Sequence, residues 1–411
     1  MIKARSAVLS PAAMVWVLGI TQIVGYGTLY YSFAILAADI ADEFGLSVSS
    51  IFGAFSVALL FGGLAAPTVG RYIDSHGAAR VMAVGSIASA AALVATALAP
   101  GLMTFGLGLI TVELAATLVL YDAAFAAIVQ GGGNEPRQRI THLTLIAGFA
   151  STLFWPLTTW LHGVLGWREM LLLFACANMF ICFPLHLLLA ASRRRSPEGA
   201  PASTEFPGEP VLPLELQSRA LLLITSGFAL SGFLLSAVLA QMVPMLQSLG
   251  LGASALLVSA LFGPAQVLVR FVNMIFGVKR HPLFITIFSA ALFPAAILML
   301  LGTAPMVVGA AAFAILLGFG SGLKSIVQGT LPLALLGSAS YGARLGRMAL
   351  VRQFLAAMAP FAFALTHDQL GPEAALIALV VVALMGLAAF IEVARMRHLM
   401  LVPLASAKPT S

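Results

Sequence analysis

The sequence predicts an all-α membrane protein with twelve transmembrane helices in two six-helix halves, and three observations lead to this prediction. Of 411 residues, 61% are hydrophobic and only 9% are charged, whereas a soluble domain carries about 25% charged residues. The apolar residues fall into twelve runs, each close to or above the roughly 20 residues that a helix needs to cross a bilayer core. One polar stretch interrupts the series after the sixth run.

The twelve runs follow one another with short connections. Several contain more Gly and Pro than a soluble helix tolerates, which is typical of membrane helices because neighbouring helices satisfy the freed backbone groups. The runs cover approximately 13–38, 49–71, 79–98, 102–130, 141–163, 169–191, 219–247, 253–278, 282–302, 305–336, 344–366 and 373–396.

The polar stretch at 192–218 contains three consecutive arginines, four glutamates and five prolines. Such a composition cannot form an apolar core and predicts a flexible linker. It divides the chain into an N-terminal six-helix half at 1–191 and a C-terminal six-helix half at 219–397, followed by a tail at 398–411. Two packed helical halves are the layout of many secondary transporters.

The basic residues indicate how the chain is oriented. Seventeen of the 21 Lys and Arg residues fall in the terminal segments or at every second connection, on the side that holds the N-terminus. The positive-inside rule then places both termini, the linker and the tail in the cytoplasm. The net charge of +6 is explained by this asymmetry, and the absence of a nucleic-acid-binding motif excludes a nucleic-acid partner.

The sequence offers no motif for enzyme chemistry. We find no metal-ligand spacing, no nucleophile elbow and no Gly-rich phosphate loop, so we expect neither catalysis nor a cofactor nor a bound metal. The two cysteines, Cys176 and Cys182, lie six residues apart in one apolar run and therefore on different faces of a helix. Without an ATP-binding motif, any transport must draw its energy from gradients.

The connection between the second and third runs carries a recognisable motif. Gly70, Asp74, Gly77 and Arg80 are spaced as in the signature loop of the major facilitator superfamily, which this chain resembles. The glycines allow a tight turn and a close helix approach, and Asp74 can pair with a cation or cap a helix N-terminus. The resemblance implies a twelve-helix transporter in which these four residues help to lock one conformational state.

Other segments resemble particular branches of that superfamily. The segments 25–33 and 66–70 are similar to monocarboxylate porters and oxalate–formate exchangers. That branch tends to place an Asp four residues before an Arg in the eighth span, where this chain has Gln266 and Arg270. The segments 324–332 and 341–347 are similar to bacterial permeases, including arsenite-efflux permeases, which implies the bacterial inner membrane as location.

Five ionisable residues fall inside the apolar runs, and each is a hypothesis for a functional site because a charge in the bilayer is costly. Asp122, Arg270 and Arg352 lie about eight to ten residues from the cytoplasmic ends of their spans, and so at a similar depth of about 12–15 Å. We expect either an ion pair that breaks and re-forms during transport or a permanent structural pair.

The other two charges have no obvious partner. Glu113 lies near the middle of its span and could carry a proton or remain a protonated, hydrogen-bonded core residue. Lys324 could contact the substrate or pair with Glu113. Tyr26 and Tyr30 are four residues apart and share a helix face, which either lines the substrate path or packs in the core.

These residues and resemblances together predict a monomeric secondary transporter in the lipid bilayer that moves a small molecule by alternating access. Proton-coupled efflux of a small toxic compound such as a trivalent metalloid is the first expectation. Uptake or exchange of a small monocarboxylate or dicarboxylate is the alternative.

Overall fold

The structure, a computed structural model, describes residues 9–131, 135–192, 211–277 and 280–406. Most of the predicted linker and the end of the predicted tail lie outside these ranges. Within them the chain is helical apart from short connections.

Twelve helices in the described ranges are long and apolar enough to cross a membrane. The predicted fold class and number of spans are therefore confirmed, whereas the cytoplasmic location of the termini stays a prediction. The helices are α1 (Pro11–Phe44), α2 (Val48–His76), α3 (Ala78–Ala97), α4 (Leu102–Gln130), α5 (Pro136–His162), α6 (Trp167–Ala191), α7 (Leu214–Leu251), α8 (Ser254–Phe276), α9 (Pro282–Thr303), α10 (Val307–Leu336), α11 (Tyr341–Leu370) and α12 (Pro372–Ser406).

Several helices extend beyond the apolar runs from which they were predicted. Helix α2 continues to His76, so the signature motif is mostly helical and its turn is confined to Gly77. Helix α7 begins at Leu214, within the predicted linker, and α12 continues to Ser406, within the predicted tail. Hydropathy marks only the part of a helix inside the hydrocarbon, whereas the hydrogen-bonded helix can continue into the polar interface.

The chain forms two compact units. Unit 1 comprises Met1–Ser203 and Ser340–Leu350, and unit 2 comprises Thr204–Ala339 and Val351–Ser411. The first turns of α11 thus pack with helices from the beginning of the chain, which the sequence order does not suggest. The predicted boundaries of the two halves stay a prediction.

Buried rings and an ion pair meet at one end of unit 1. Phe105 packs edge-on against Trp167, with ring centroids 5.6 Å apart. The indole of Trp167 donates a hydrogen bond of 2.7 Å to Glu43, and Arg168 forms an ion pair of 2.6 Å with the same carboxylate. These contacts join the end of α1 to the start of α6.

Unit 2 has an apolar core built largely from α7, α9, α10 and α12. Phe293 and Phe313 are among its fully buried rings, and Phe228 meets Phe390 with centroids 5.0 Å apart. Lipid tails are as apolar as these side chains, so close packing rather than the hydrophobic effect holds such helices together.

We expect single cysteines to confirm the predicted orientation. In a Cys176→Ser, Cys182→Ser background, Ser49→Cys at the start of α2 should react with a membrane-impermeant maleimide added outside intact cells. Ser75→Cys at the end of α2 should react only after permeabilisation. Both positions are exposed, and the reverse pattern would contradict cytoplasmic termini.

Candidate functional site

Helix α1 changes its winding in the middle of the span. Residues Gly27–Tyr31 form a π-helical turn, and the hydroxyl of Ser32, just after it, donates to the carbonyl of Gly27. In a π turn residues five apart share a side, as Tyr26 and Tyr31 do with ring centroids 6.1 Å apart. The sequence paired Tyr26 with Tyr30 on regular α-helical spacing, whereas Tyr30 packs against Tyr31.

This π turn belongs to a continuous row of aromatic rings. Neighbouring rings in the row have centroids 4.2 to 6.1 Å apart. Four rings come from α1, two from α2 and two from α4. In spatial order the aromatic row is Phe52, Phe33, Phe55, Tyr30, Tyr31, Tyr26, Tyr121 and Phe125.

Helix α4 is interrupted next to the aromatic row. Leu120 has an extended backbone (φ −80°, ψ −166°), which breaks the helical hydrogen-bond ladder inside the membrane. The buried side chain of Gln22 donates a 2.7 Å hydrogen bond to the carbonyl of Val119. A carbonyl freed at this depth has no water to bind, so Gln22 takes the place of the missing amide.

The interruption of α4 places Asp122 at the start of a new helical segment. The helix restarts at Tyr121, and Asp122 lies in its first turn, where the positive end of the helix dipole favours a carboxylate. Asp122 also lies close enough to Tyr341, at the start of α11, for the two groups to interact electrostatically. Sequence reasoning found Asp122 but missed the broken helix that holds it.

Glu113 lies in α4 before the interruption and is 6% exposed. It interacts electrostatically with Tyr30, and one of its carboxyl oxygens is sealed from solvent. Among the described residues it has neither a hydrogen-bond partner nor an ion-pair partner. The predicted pair with Lys324, the role as a proton carrier and the role as a protonated core residue all stay predictions.

The signature motif meets the start of α11 within unit 1. The two carboxylate oxygens of Asp74 accept hydrogen bonds of 2.9 and 2.8 Å from the backbone amides of Gly342 and Ala343. These amides belong to the first turn of α11 and have no partner within the helix. Asp74 on α2 therefore caps the N-terminus of α11, and its negative charge interacts favourably with the positive end of the α11 dipole.

Glycines allow this contact between α2 and α11. A methyl group added at Gly70 would lie 3.1 Å from the Cα atom of Ala343, and one at Gly346 would lie 3.0 Å from the Cα atom of Pro67. Gly342 and Gly346 have the spacing of two small residues separated by three others, which permits helices to approach closely in membranes.

The turn after α2 depends on Gly77, whose φ of +89° is strained for residues with a Cβ atom. The side chain of Gln130 fastens this turn by accepting from the amide of Ala78 (2.7 Å) and donating to the carbonyl of Ile73 (3.1 Å). Arg80 is exposed in the first turn of α3. Sequence reasoning missed Gln130, which lies more than fifty residues away along the chain.

Two of the predicted cations lie side by side in unit 2. Lys324 on α10 and Arg352 on α11 are close enough for their charges to repel each other. Both lie against Gly232 on α7, where an added methyl group would be 3.4 Å from Cγ of Arg352 and 3.7 Å from Nζ of Lys324. Three helices thus surround a pair of positive charges within the membrane span.

Arg270 is 5% exposed and binds the neighbouring turn of α10. Its Nε donates to the hydroxyl of Ser325 over 3.1 Å, and the amide of Gln266 donates to Ser321 over 2.7 Å. The two side chains are four residues apart on α8 and meet two serines four residues apart on α10. Gln266 therefore joins α8 and α10 by a neutral hydrogen bond.

The five membrane charges are divided by sign between the units. Glu113 and Asp122 belong to unit 1, whereas Arg270, Lys324 and Arg352 belong to unit 2. The predicted grouping of Asp122 with Arg270 and Arg352 stays a prediction.

We expect Asp74→Ala to lower the thermal stability of the purified protein, because it removes two charge-assisted hydrogen bonds from the start of α11. The loss should be about 1–3 kcal/mol, and Asp74→Asn should lose less because it keeps an acceptor. Asp42→Asn, at an exposed acid near the end of α1, is the matched control. Equal melting temperatures for Asp74→Ala and the control would contradict the capping role.

Gln22→Leu should also destabilise the protein, since it leaves the carbonyl of Val119 buried without a donor, at a cost of about 1–3 kcal/mol. Gln22→Met tests the same bond with nearly the same shape, because a thioether cannot donate to that carbonyl. Denaturation in detergent measures both variants. Wild-type stability in both would show that Gln22 does not support the broken helix.

Comparisons with known proteins agree with this architecture. The model of the family described as Major Facilitator Superfamily matches residues 18–360. No curated protein sequence matches the chain. The human organic anion transporter MFSD10 (TETRAN) has a similar structure, with a TM-score of 0.66 at 17% identity, covering 92% of this chain and 98% of that one.

The fucose:proton symporter FucP of E. coli also has a similar structure. A variant of it gives a TM-score of 0.68 at 13% identity, covering 93% of this chain and 98% of that one. FucP in its outward conformation gives 0.68 at 14% identity with the same coverage. At these identities the likeness shows the fold alone, and the predicted branch within the family stays a prediction.

The family match extends over most of the sequence. The chain therefore belongs to the major facilitator superfamily as a multi-pass membrane transporter rather than an enzyme.

Proposed function

We propose that the chain is a secondary transporter of a small organic anion and that Lys324 and Arg352 bind the anionic group. The observation that carries the proposal is the placement of these two cations beside each other in unit 2. Two like charges in a medium of low dielectric constant repel strongly. An anion that binds between them removes this cost, so the pair favours an anionic solute over a neutral one.

The two side chains suit a carboxylate in complementary ways. The guanidinium of Arg352 can donate two parallel hydrogen bonds to both carboxylate oxygens, and the ammonium of Lys324 provides a compact charge. Gly232 leaves room beside them because it has no side chain. We therefore favour uptake or exchange of a small carboxylate over efflux of a trivalent metalloid.

Efflux of a trivalent metalloid is the second candidate and receives less support. A thiol site would need cysteines close together, but Cys176 is exposed on α6 and Cys182 is buried. No group of three or more His, Cys, Asp or Glu side chains in the described residues could hold a metal ion. A neutral metalloid hydroxide also brings no negative charge to Lys324 and Arg352.

Helix α11 offers a way to couple anion binding to a conformational change. Its first turns contact Asp74 in unit 1, and Arg352, shortly after them, belongs to unit 2. Helix α11 therefore carries both the proposed anion-binding residue Arg352 and the amides that Asp74 caps. We propose that the Asp74 contact holds one state of the alternating-access cycle and that Gly70, Gly77 and Arg80 support it.

Counterflow in proteoliposomes tests the proposal with oxalate, lactate, pyruvate and arsenite as solutes. Lys324→Gln and Arg352→Gln should each reduce carboxylate exchange at least about 30-fold, since removing one charge of a desolvated pair costs about 2 kcal/mol or more. Arg270→Ala should abolish carboxylate exchange as well.

Arg280→Gln serves as the control, because Arg280 is an exposed cation just before α9 and should exchange carboxylates like the wild type. Undiminished carboxylate exchange in both Lys324→Gln and Arg352→Gln would refute the anion site. Arsenite export without any carboxylate exchange would favour the metalloid instead.

A further inference from the structure

We infer that Gly232 determines how much bulk the transported carboxylate can carry next to its charged group, so that the site accepts short carboxylates. The inference rests on the proposed function, because it assumes that Lys324 and Arg352 bind the carboxylate. All three residues belong to unit 2. Gly232 is buried near the middle of α7, within the membrane span.

A methyl group added at Gly232 would contact both of the proposed anion-binding side chains. It would lie 3.4 Å from Cγ of Arg352 and 3.7 Å from Nζ of Lys324. Apart from α7 itself, no other atom of the described residues would come within 4 Å of it. The space beside Gly232 therefore borders both cations and is otherwise open, so the atoms next to a bound carboxylate group can occupy it.

Helix packing does not explain the glycine at this position. Carbon atoms 3.4 to 3.7 Å from their neighbours are in ordinary van der Waals contact, so alanine would fit at 232. Gly227 on the same helix differs, because its added methyl group would lie 2.5 Å from Cζ of Phe390. Gly318 on α10 differs too, with 2.6 Å to the carbonyl oxygen of Phe262. Since alanine also favours a helix more than glycine does, the lack of a side chain at 232 points to the space that it leaves.

A hydrogen bond one turn away fixes the separation of α7 and α11 beside this space. The hydroxyl of Ser236, four residues after Gly232, donates over 2.6 Å to the carbonyl of Ala356, four residues after Arg352. Residues four apart lie on the same face of a helix, so this bond holds together the faces that carry Gly232 and Arg352. A methyl group at 232 would therefore reduce the space for the solute instead of pushing the helices apart.

A series of carboxylates of increasing bulk measures this limit. Formate, acetate, propionate, isobutyrate and pivalate differ by one methyl group at a time and carry the same charge at neutral pH. Each is tested in proteoliposomes as a competitor against exchange of labelled oxalate, lactate or pyruvate. In Gly232→Ala the bulkiest acid that competes in the wild type should lose at least about 10-fold in affinity, because one methyl group in a closed site has an effect of this size or more. Formate should change less than about 3-fold.

Two other glycines of unit 2 provide the controls. Gly263→Ala on α8 should keep the wild-type affinities for the whole series, because a methyl group there would meet no atom of the described residues within 4 Å. Gly227→Ala should lower the melting temperature, because its methyl group would overlap the ring of Phe390. Gly232→Ala should melt like the wild type.

Equal losses for formate and for the bulkier acids in Gly232→Ala would overturn the inference, because the methyl group would then weaken the cation site without limiting bulk. Unchanged affinities for the whole series would overturn it as well. So would a fall in melting temperature as large as that of Gly227→Ala, which would make Gly232 a packing residue. Failure of the proposed function looks different, because then the wild type itself exchanges no carboxylate.

Discussion

Polar groups inside a bilayer must find their partners within the protein, and this constraint governs the interior of unit 1. Where α4 is broken at Leu120, the side chain of Gln22 supplies the donor that the carbonyl of Val119 lacks. Where α1 winds into a π turn, Ser32 donates back to Gly27. Each irregularity is stabilised by a neighbouring polar side chain. The same irregularities orient Tyr26, Tyr121 and Asp122.

The contact between α2 and α11 likewise provides partners for polar backbone groups, here at the start of a helix. The first amides of α11 have no partner in their own helix, and Asp74 accepts from two of them. Glycines at 70, 342 and 346 make the approach close enough for these bonds. Helix α11 then continues to Arg352, one of the two residues that we propose to bind the anion.

Two of the membrane charges, Glu113 and Lys324, have no opposite charge beside them among the described residues of their own units. Glu113 is buried beside Tyr30 without a hydrogen bond to any described residue, and Lys324 lies beside another cation. A buried carboxylate without a hydrogen bond and two neighbouring cations each cost free energy inside a membrane protein. The proposed function rests on this cost, because an anion bound at Lys324 and Arg352 would lower it.

The sequence by itself determined the membrane class, the twelve spans and the family motif, because hydropathy, span length and loop charge are local properties of the chain. It also identified the five membrane charges, since any ionisable residue in an apolar run stands out. Only the tertiary structure decided that Lys324 lies beside Arg352, that Gln22 hydrogen-bonds to the backbone where α4 is broken, and that the first turns of α11 pack with unit 1. These facts depend on contacts between distant segments and on departures from regular helical winding, and the 3.6-residue periodicity of a single helix contains neither.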